Sequence, residues 1–92
     1  MTVYIDNAFL PYRRMLMCHM IADSTDELLA MAERIGIARK WVQRPGMPDE
    51  HFDVCKEARE KAIRYGAIEV TRRELAAKIR DRRMNAEHAG FP

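Results

Sequence analysis

The chain has 92 residues, of which 48% are hydrophobic and 33% charged, and a net charge of +2. This length holds one hydrophobic core and excludes two domains, and no run approaches the roughly 18 apolar residues that a membrane span requires. The net charge is too small to name a nucleic-acid binder, and two cysteines, Cys18 and Cys55, are too few for a disulfide scaffold.

A domain of this size buries only roughly 60 to 65% of its unfolded surface, so a homo-oligomer is expected as a source of further buried area. The first residues lack a basic region followed by a signal-length apolar segment. With so few cysteines, that places the protein in the cytoplasm, away from membranes. The charge is uneven. Six basic and two acidic residues lie between Arg72 and Arg83, so that segment carries +4 and the remainder −2.

In chain order, Val3-Tyr4-Ile5 reads as a short first strand closing at Asp6-Asn7, and residues 9 to 14, with Pro11, read as a connection. Met15 to Ile21 is an apolar run broken only by His19, and its shortness favours a strand over a helix. Ser24 and Glu27 have capping-box spacing, Leu28, Met31, Ala32 and Ile35 follow at helical intervals, and Gly36 supplies the left-handed stop. Ile37 to Val42 returns to strand composition around Trp41, until Gln43-Arg44-Pro45-Gly46 breaks it.

Asp49 or Glu50 is expected to begin a second helix with Phe52, Cys55, Ala58, Ala62 and Tyr65 on one side, ending at Gly66. Residues 67 to 70 read as a strand, and Thr71 with Glu74 repeats the capping box before a third helix to about Arg83. Residues 1–84 then form one α/β domain and residues 85–92 a flexible tail. The order β-β-α-β-α-β-α predicts a small sandwich with a mostly parallel four-stranded sheet. Right-handed crossovers would gather Asp6, Asp23, residues 43 to 53 and Thr71 on one sheet edge.

Three groups could carry chemistry. Asp6, Cys18, His19, Asp23, His51, Asp53 and Cys55 are of the types that bind zinc, manganese or iron, but the spacing contains neither C-x-x-C nor H-E-x-x-H. A divalent metal is one reading, and buried cysteines of a plain core are the other. If His51 and Asp53 occupy the first turn of the second helix, its free N–H groups with Arg44, Lys56 and His51 make an anion site; Asp53 would serve equally as a simple cap. His19 needs a partner wherever its strand is buried, and with His51 and a carboxylate it would form an acid/base pair. The arginines of the third helix read as a solvated face or as phosphate contacts, and Trp41 beside Gln43 as a core residue or a stacking surface.

Thr2-Val3-Tyr4-Ile5-Asp6, His19 with residues 21 to 24 and Glu27-Leu28, Trp41 with Gln43, and His51-Phe52-Asp53-Val54 before Lys56 and Gly66-Ala67 form a spaced set. Over roughly residues 1 to 80 this set resembles a family of small bacterial and phage proteins catalogued as a domain of unknown function. The resemblance implies a cytoplasmic location and a phage origin, and it singles out Asp6, His19, Trp41, Gln43, His51 and Asp53. In that family the position of Cys55 is often not cysteine, which weakens a cysteine ligand.

The leading expectation is a binding module for an anionic, nucleotide-like ligand or a nucleic-acid backbone, using His51, Arg44, Lys56, His19, Trp41 and Gln43. The second is a hydrolase or nuclease in which Asp6, His19, His51 and Asp53 hold a divalent metal or act as acid and base. The third is a protein-interaction scaffold presenting its basic helix.

Overall fold

Tyr12 and Met15 pair across a two-residue turn in which Arg13 takes φ 57, and the turn folds the start of the chain into a hairpin. The computed structural model describes residues 2–89. Strands β1 (Val3–Ile5) and β2 (Leu10–Tyr12) both run antiparallel to β3 (Met15–Ala22). The register is broken between them. Ile5 pairs with Met20 and Leu10 with Met17, so the four residues 6 to 9 stand opposite only Cys18 and His19. This is a β-bulge, a device that re-aims side chains out of the regular pleat.

After β3, Ser24 caps α1 (Thr25–Arg34), its hydroxyl accepting from the Glu27 N–H, and Gly36 follows at φ 85. A single 3₁₀ turn covers Arg39–Trp41, and the chain then doubles back through a loop closed by paired backbone hydrogen bonds between Gln43 and His51. Strand β4 (Phe52–Cys55) follows and lies antiparallel along the other edge of β3. Helix α2 (Lys56–Arg64) leads to the short β5 (Ile68–Glu69), which pairs parallel with β1. Thr71 and Glu74 form the second capping box at the head of α3 (Arg72–Ala89).

Alternation along the strands sets two faces. Val3, Ile5, Cys18, Met20, Ala22, Phe52 and Val54 pack with Leu28, Met31 and Ala32 of α1 and Ala58 and Ala62 of α2 in one buried cluster. The opposite face carries Tyr4, His19, Ile21 and Asp53 and is partly covered by α3, which leaves Asp53 open to solvent. That helix buries Leu75, half-buries Ala77 and Ile79, and also reaches the sheet with long basic side chains. Lys78 Nζ lies 4.1 Å from the centre of the Tyr4 ring, and an Arg82 N–H donates to the Ala22 carbonyl.

The sheet is therefore mixed, with five strands among the described residues, and it is not mostly parallel: of the pairings among those strands, only that of β1 with β5 is parallel. The expectation of parallel pairing assumed that every helix is a crossover between parallel strands. Here α1 is followed by the 3₁₀ turn and a reversing loop, so β4 returns antiparallel to β3. Residues 9 to 14 hold a hairpin strand rather than a plain connection, and Ile37 to Val42 is no strand. The largest correction concerns residues 52 to 55, which are β4 and not the first turn of the second helix; that helix begins at Lys56. Phe52 and Val54 point one way and Asp53 and Cys55 the other, a period of two that four residues are too few to show in sequence. Helix α3 continues past Arg83 to Ala89, so residues 85 to 89 of the expected tail are helical, and Gly90 to Pro92 lie outside the described residues.

Candidate functional site

The bulge turns the Asp6 side chain inward, where it has no solvent exposure. Its Oδ1 accepts the N–H of His19 at 2.8 Å and that of Ala8 at 3.3 Å, which replaces the ladder bond the bulge removes. Its Oδ2 lies 2.8 Å from Nδ1 of His19. A carboxylate accepts, so the His19 proton sits on Nδ1 and Nε2 is left facing outward. Phe9 closes the bulge at φ 45, a conformation that a bulky residue adopts only when its surroundings impose it. Arg59 of α2 supplies part of that constraint: its Nε–H donates to the Asp6 carbonyl at 2.9 Å while its guanidinium lies 4.9 Å from the centre of the Phe9 ring.

β4 brings the second half of the site, because its register sets Asp53 directly beside His19. His51, at the mouth of the loop, donates from Nδ1 to the Asp49 carbonyl oxygen 2.7 Å away, so its Nε2 is also free. Asp53 Oδ1 stands 3.8 Å from His19 Nε2 and 3.5 Å from His51 Nε2. The two rings meet edge to face with centroids 5.7 Å apart, and Gln43 fixes the carboxylate by donating from Nε2 to Asp53 Oδ2. All three atoms are acceptors unless an imidazole gains a second proton, so the point they face calls for a donor: water, a hydroxyl or an added proton. The gaps exceed ordinary hydrogen-bond length, which suits a site that closes on a bridging group.

The loop between Gln43 and His51 is held from beneath by Glu50, which is buried. Its carboxylate accepts the Thr25 hydroxyl and the Gly46 N–H, each at 2.8 Å. Asp49 accepts from Arg44 at 3.2 Å and from Arg83 of α3 at 3.1 Å. Partial burial works against the charge on Asp49, but the Arg44 hydrogen bond, a backbone bond and the charges of Arg44 and Arg83 outweigh it and hold its carboxyl below the usual carboxylate range. Glu74 is lowered by the Thr71 N–H and hydroxyl. Both groups have depressed folded-state values, so the stability they add is present above the ordinary carboxylate range and is lost as pH falls through the lowered values. Thermal melts should therefore be flat near neutral pH and fall below about pH 4, with the Asp49 share shrinking in high salt; a Tm that rises on acidification would contradict these pairings.

Two openings meet at His19. A cleft of about 350 Å³ between the sheet and α3 is lined by Asp6, His19, Asp49 and His51 on one side and by Arg72, Arg80 and Arg83 on the other. A wider groove of about 980 Å³ runs from His19 and Asp53 past Gln43 to Tyr12, Met15, Met17 and Trp41. Along its helical wall Arg72, Arg80 and Arg83 stand among Leu75, Ala76 and Ile79, and the guanidinium groups favour an anion. Among the described residues, no group of three or more His, Cys, Asp and Glu side chains forms a metal centre. Burial pushes the Cys18 thiol up, against its contacts with the Phe9 and Ala8 backbone, which makes it a poor thiolate ligand.

A family model covers residues 3–82 of this chain. The chain belongs to that family, described as a protein of unknown function (DUF4031). No curated protein and no solved structure matches it.

In this DUF4031 chain, Asp6, His19, His51 and Asp53 come together, with Gln43 bound to the last of them. Arg44 and Lys56 do not join them: Arg44 is engaged with Asp49, and exposed Lys56 lines neither opening. The expected anion site at the head of the second helix is absent, since His51 and Asp53 precede that helix and α2 starts after Cys55 without a side-chain cap. Asp23 faces Arg82 at 3.9 Å and lies away from the cleft. Trp41 is 64% exposed and so is no core residue. Cys55 is a half-buried strand residue lining the groove rather than a core position of the second helix. Arg72, Arg80 and Arg83 of α3 line one wall of the cleft, where sequence alone leaves the arginines of that helix as a solvated face or phosphate contacts. Arg59 escapes the sequence reading, and Asp49 and Glu50 enter it only as the expected start of the second helix. The uneven basic charge between Arg72 and Arg83 was the signal for the wall; nothing local marks Arg59.

Proposed function

We propose that this protein acts on a phosphate ester by metal-free general acid–base catalysis, with His19 as base and His51 as acid. The observation that carries the reading is the convergence of both Nε2 atoms on Asp53 Oδ1 while each Nδ1 is tied to an acceptor of its own. A site that only binds an anion has no need of a buried carboxylate to fix an imidazole tautomer. The cations of the leading sequence expectation, Arg44 and Lys56, are replaced in this reading by Arg72, Arg80 and Arg83, which face both histidines across the cleft.

The cleft lining contains no hydroxyl or thiol side chain, so the nucleophile is a water or a hydroxyl of the substrate. His19 Nε2 takes the proton of that oxygen as it bonds to phosphorus. The phosphorus–oxygen bond to the leaving group breaks, and the departing oxygen takes the proton carried by His51 Nε2. Asp6 stabilises the charge that arrives on His19, and the arginines face the charge on the phosphoryl oxygens.

Release of nitrophenol from a phosphodiester and from a phosphomonoester, followed against pH with and without EDTA, tests this. The expected result is turnover that resists EDTA, a bell-shaped pH profile, and losses of about 10² to 10⁴-fold in His19→Asn and in His51→Asn. Turnover abolished by EDTA and restored by a divalent cation would overturn the metal-free chemistry, and no turnover of either ester would overturn the enzyme.

A further inference from the structure

We propose that the groove beside His19 is a base-stacking subsite and that the substrate is single-stranded nucleic acid; the catalytic half of this statement rests on the reading above. The cleft of about 350 Å³ between His51 and α3 suits a phosphate, whereas the adjoining groove of about 980 Å³ has the size and apolar walls of a site for a ring system. His19 lines both. A ligand that puts phosphate against the arginines and a planar apolar group in the groove therefore passes over the catalytic nitrogen. A nucleotide within a strand is such a ligand.

The walls of the groove match that occupant. Tyr12 and Trp41 are 55% and 64% exposed, and these large rings have no core to serve. Each carries a cation: the Arg13 guanidinium lies 5.6 Å from the centre of the Tyr12 ring, and Lys40 Nζ 5.1 Å from that of Trp41. Aromatic surface set among positive charge is the pattern by which proteins hold single strands without reading sequence, the rings stacking on bases and the cations following phosphates. The C-terminal helix has the charge without the aromatics. The fold supplies them from the hairpin turn and the 3₁₀ turn, far away in sequence. At the inner end, Gln43 and Asp53 offer polar groups to a base edge.

A second copy of the chain is a poorer occupant, because it would bring a chain of net charge +2 against the Arg13 and Lys40 cations of the groove. A duplex is also disfavoured, since its bases are stacked on one another and unavailable to Tyr12 and Trp41.

Fluorescence anisotropy of end-labelled six-nucleotide oligouridylate and oligothymidylate, compared with a self-complementary duplex and with uridine monophosphate, tests the subsite. Trp41, the one tryptophan of the chain, gives a second readout. Binding of either single strand in preference to the duplex, weakened by salt and accompanied by quenching of Trp41, is the expected result. Tyr12→Ala and Trp41→Ala should each weaken it by about 5- to 150-fold. The RNA and DNA arms show which sugar is accepted. Binding no tighter than uridine monophosphate, or unaltered in both variants, overturns the subsite. So does a concentration-dependent change in Trp41 emission without nucleic acid, which would seat a second copy on the groove. Oligonucleotide binding without any ester turnover supports the subsite and sinks the acid–base reading, whereas turnover of a nitrophenyl ester without oligonucleotide binding does the reverse.

Discussion

Asp6→Asn is expected to lower turnover by about 10³ to 10⁴-fold while leaving a folded protein. The amide oxygen can still accept the two backbone N–H groups that Oδ1 serves, from His19 and Ala8. The amide nitrogen then faces Nδ1 of His19 where Oδ2 stood, and being a donor it forces the ring into the other tautomer, with the proton on Nε2. His19 would point a donor into the cleft where the mechanism needs an acceptor. The same wrong-tautomer change in a Ser-His-Asp triad costs about 10⁴ in kcat. Asp6→Ala is the less informative variant, because it strands two backbone donors at about 1 to 3 kcal/mol each and confounds chemistry with stability. The signature of the Asn variant is a collapse of kcat with a Tm near that of the parent. A variant that retains more than about a tenth of parental turnover would show that Asp6 shapes the bulge and has no part in orienting the base.

The bulge also explains how far the site could be read from the sequence. Asp6 and His19 were legible as candidates because they are polar residues ending or interrupting strand-like runs, and His51 and Asp53 because they stand at an expected helix start that an α/β layout brings to the same edge. The device that joins Asp6 to His19 was not legible. It depends on two extra residues between Ile5 and Leu10, and these can be counted only once β2 is known to pair with β3. A short strand defeats periodicity in the same way: β4 has only four residues. The capping boxes at Ser24 and Thr71 succeeded because their information is local, within four residues. The expected anion site failed because it combined a correct loop with a helix start misplaced by several residues. Asp49, Glu50 and the apolar run after them read equally well as a helix beginning. Tertiary pairing of Phe52 and Val54 with Met20 and Cys18 overrode that signal. The arginines of α3 reach the cleft only because the sheet presents a second, partly polar face for that helix to span.

Phe52→Ala is expected to destabilise the protein by about 3 to 5 kcal/mol. Phe52 is the largest of the fully buried side chains, with 0% exposure, and it stands opposite Met20 in the cluster shared with α1 and α2. Domains are typically stable by about 5 to 15 kcal/mol, so such a loss consumes much of the margin. In a chain of this size each kcal/mol moves Tm by about 4 to 8 °C. The consequence reaches the site through register. Phe52 lies between His51 and Asp53, and its anchorage on the core face holds those two side chains on the other face, against His19. Phe52→Leu, which keeps an apolar side chain in the cavity, should cost about 1 kcal/mol and preserve turnover. The Ala variant, assayed at a temperature where it remains folded, should lose turnover beyond its folded fraction as Asp53 and His51 shift from Nε2 of His19. If Phe52→Ala melts within about 5 °C of the parent, the side chain does not occupy the core, and the antiparallel seat of β4 on β3 falls with it.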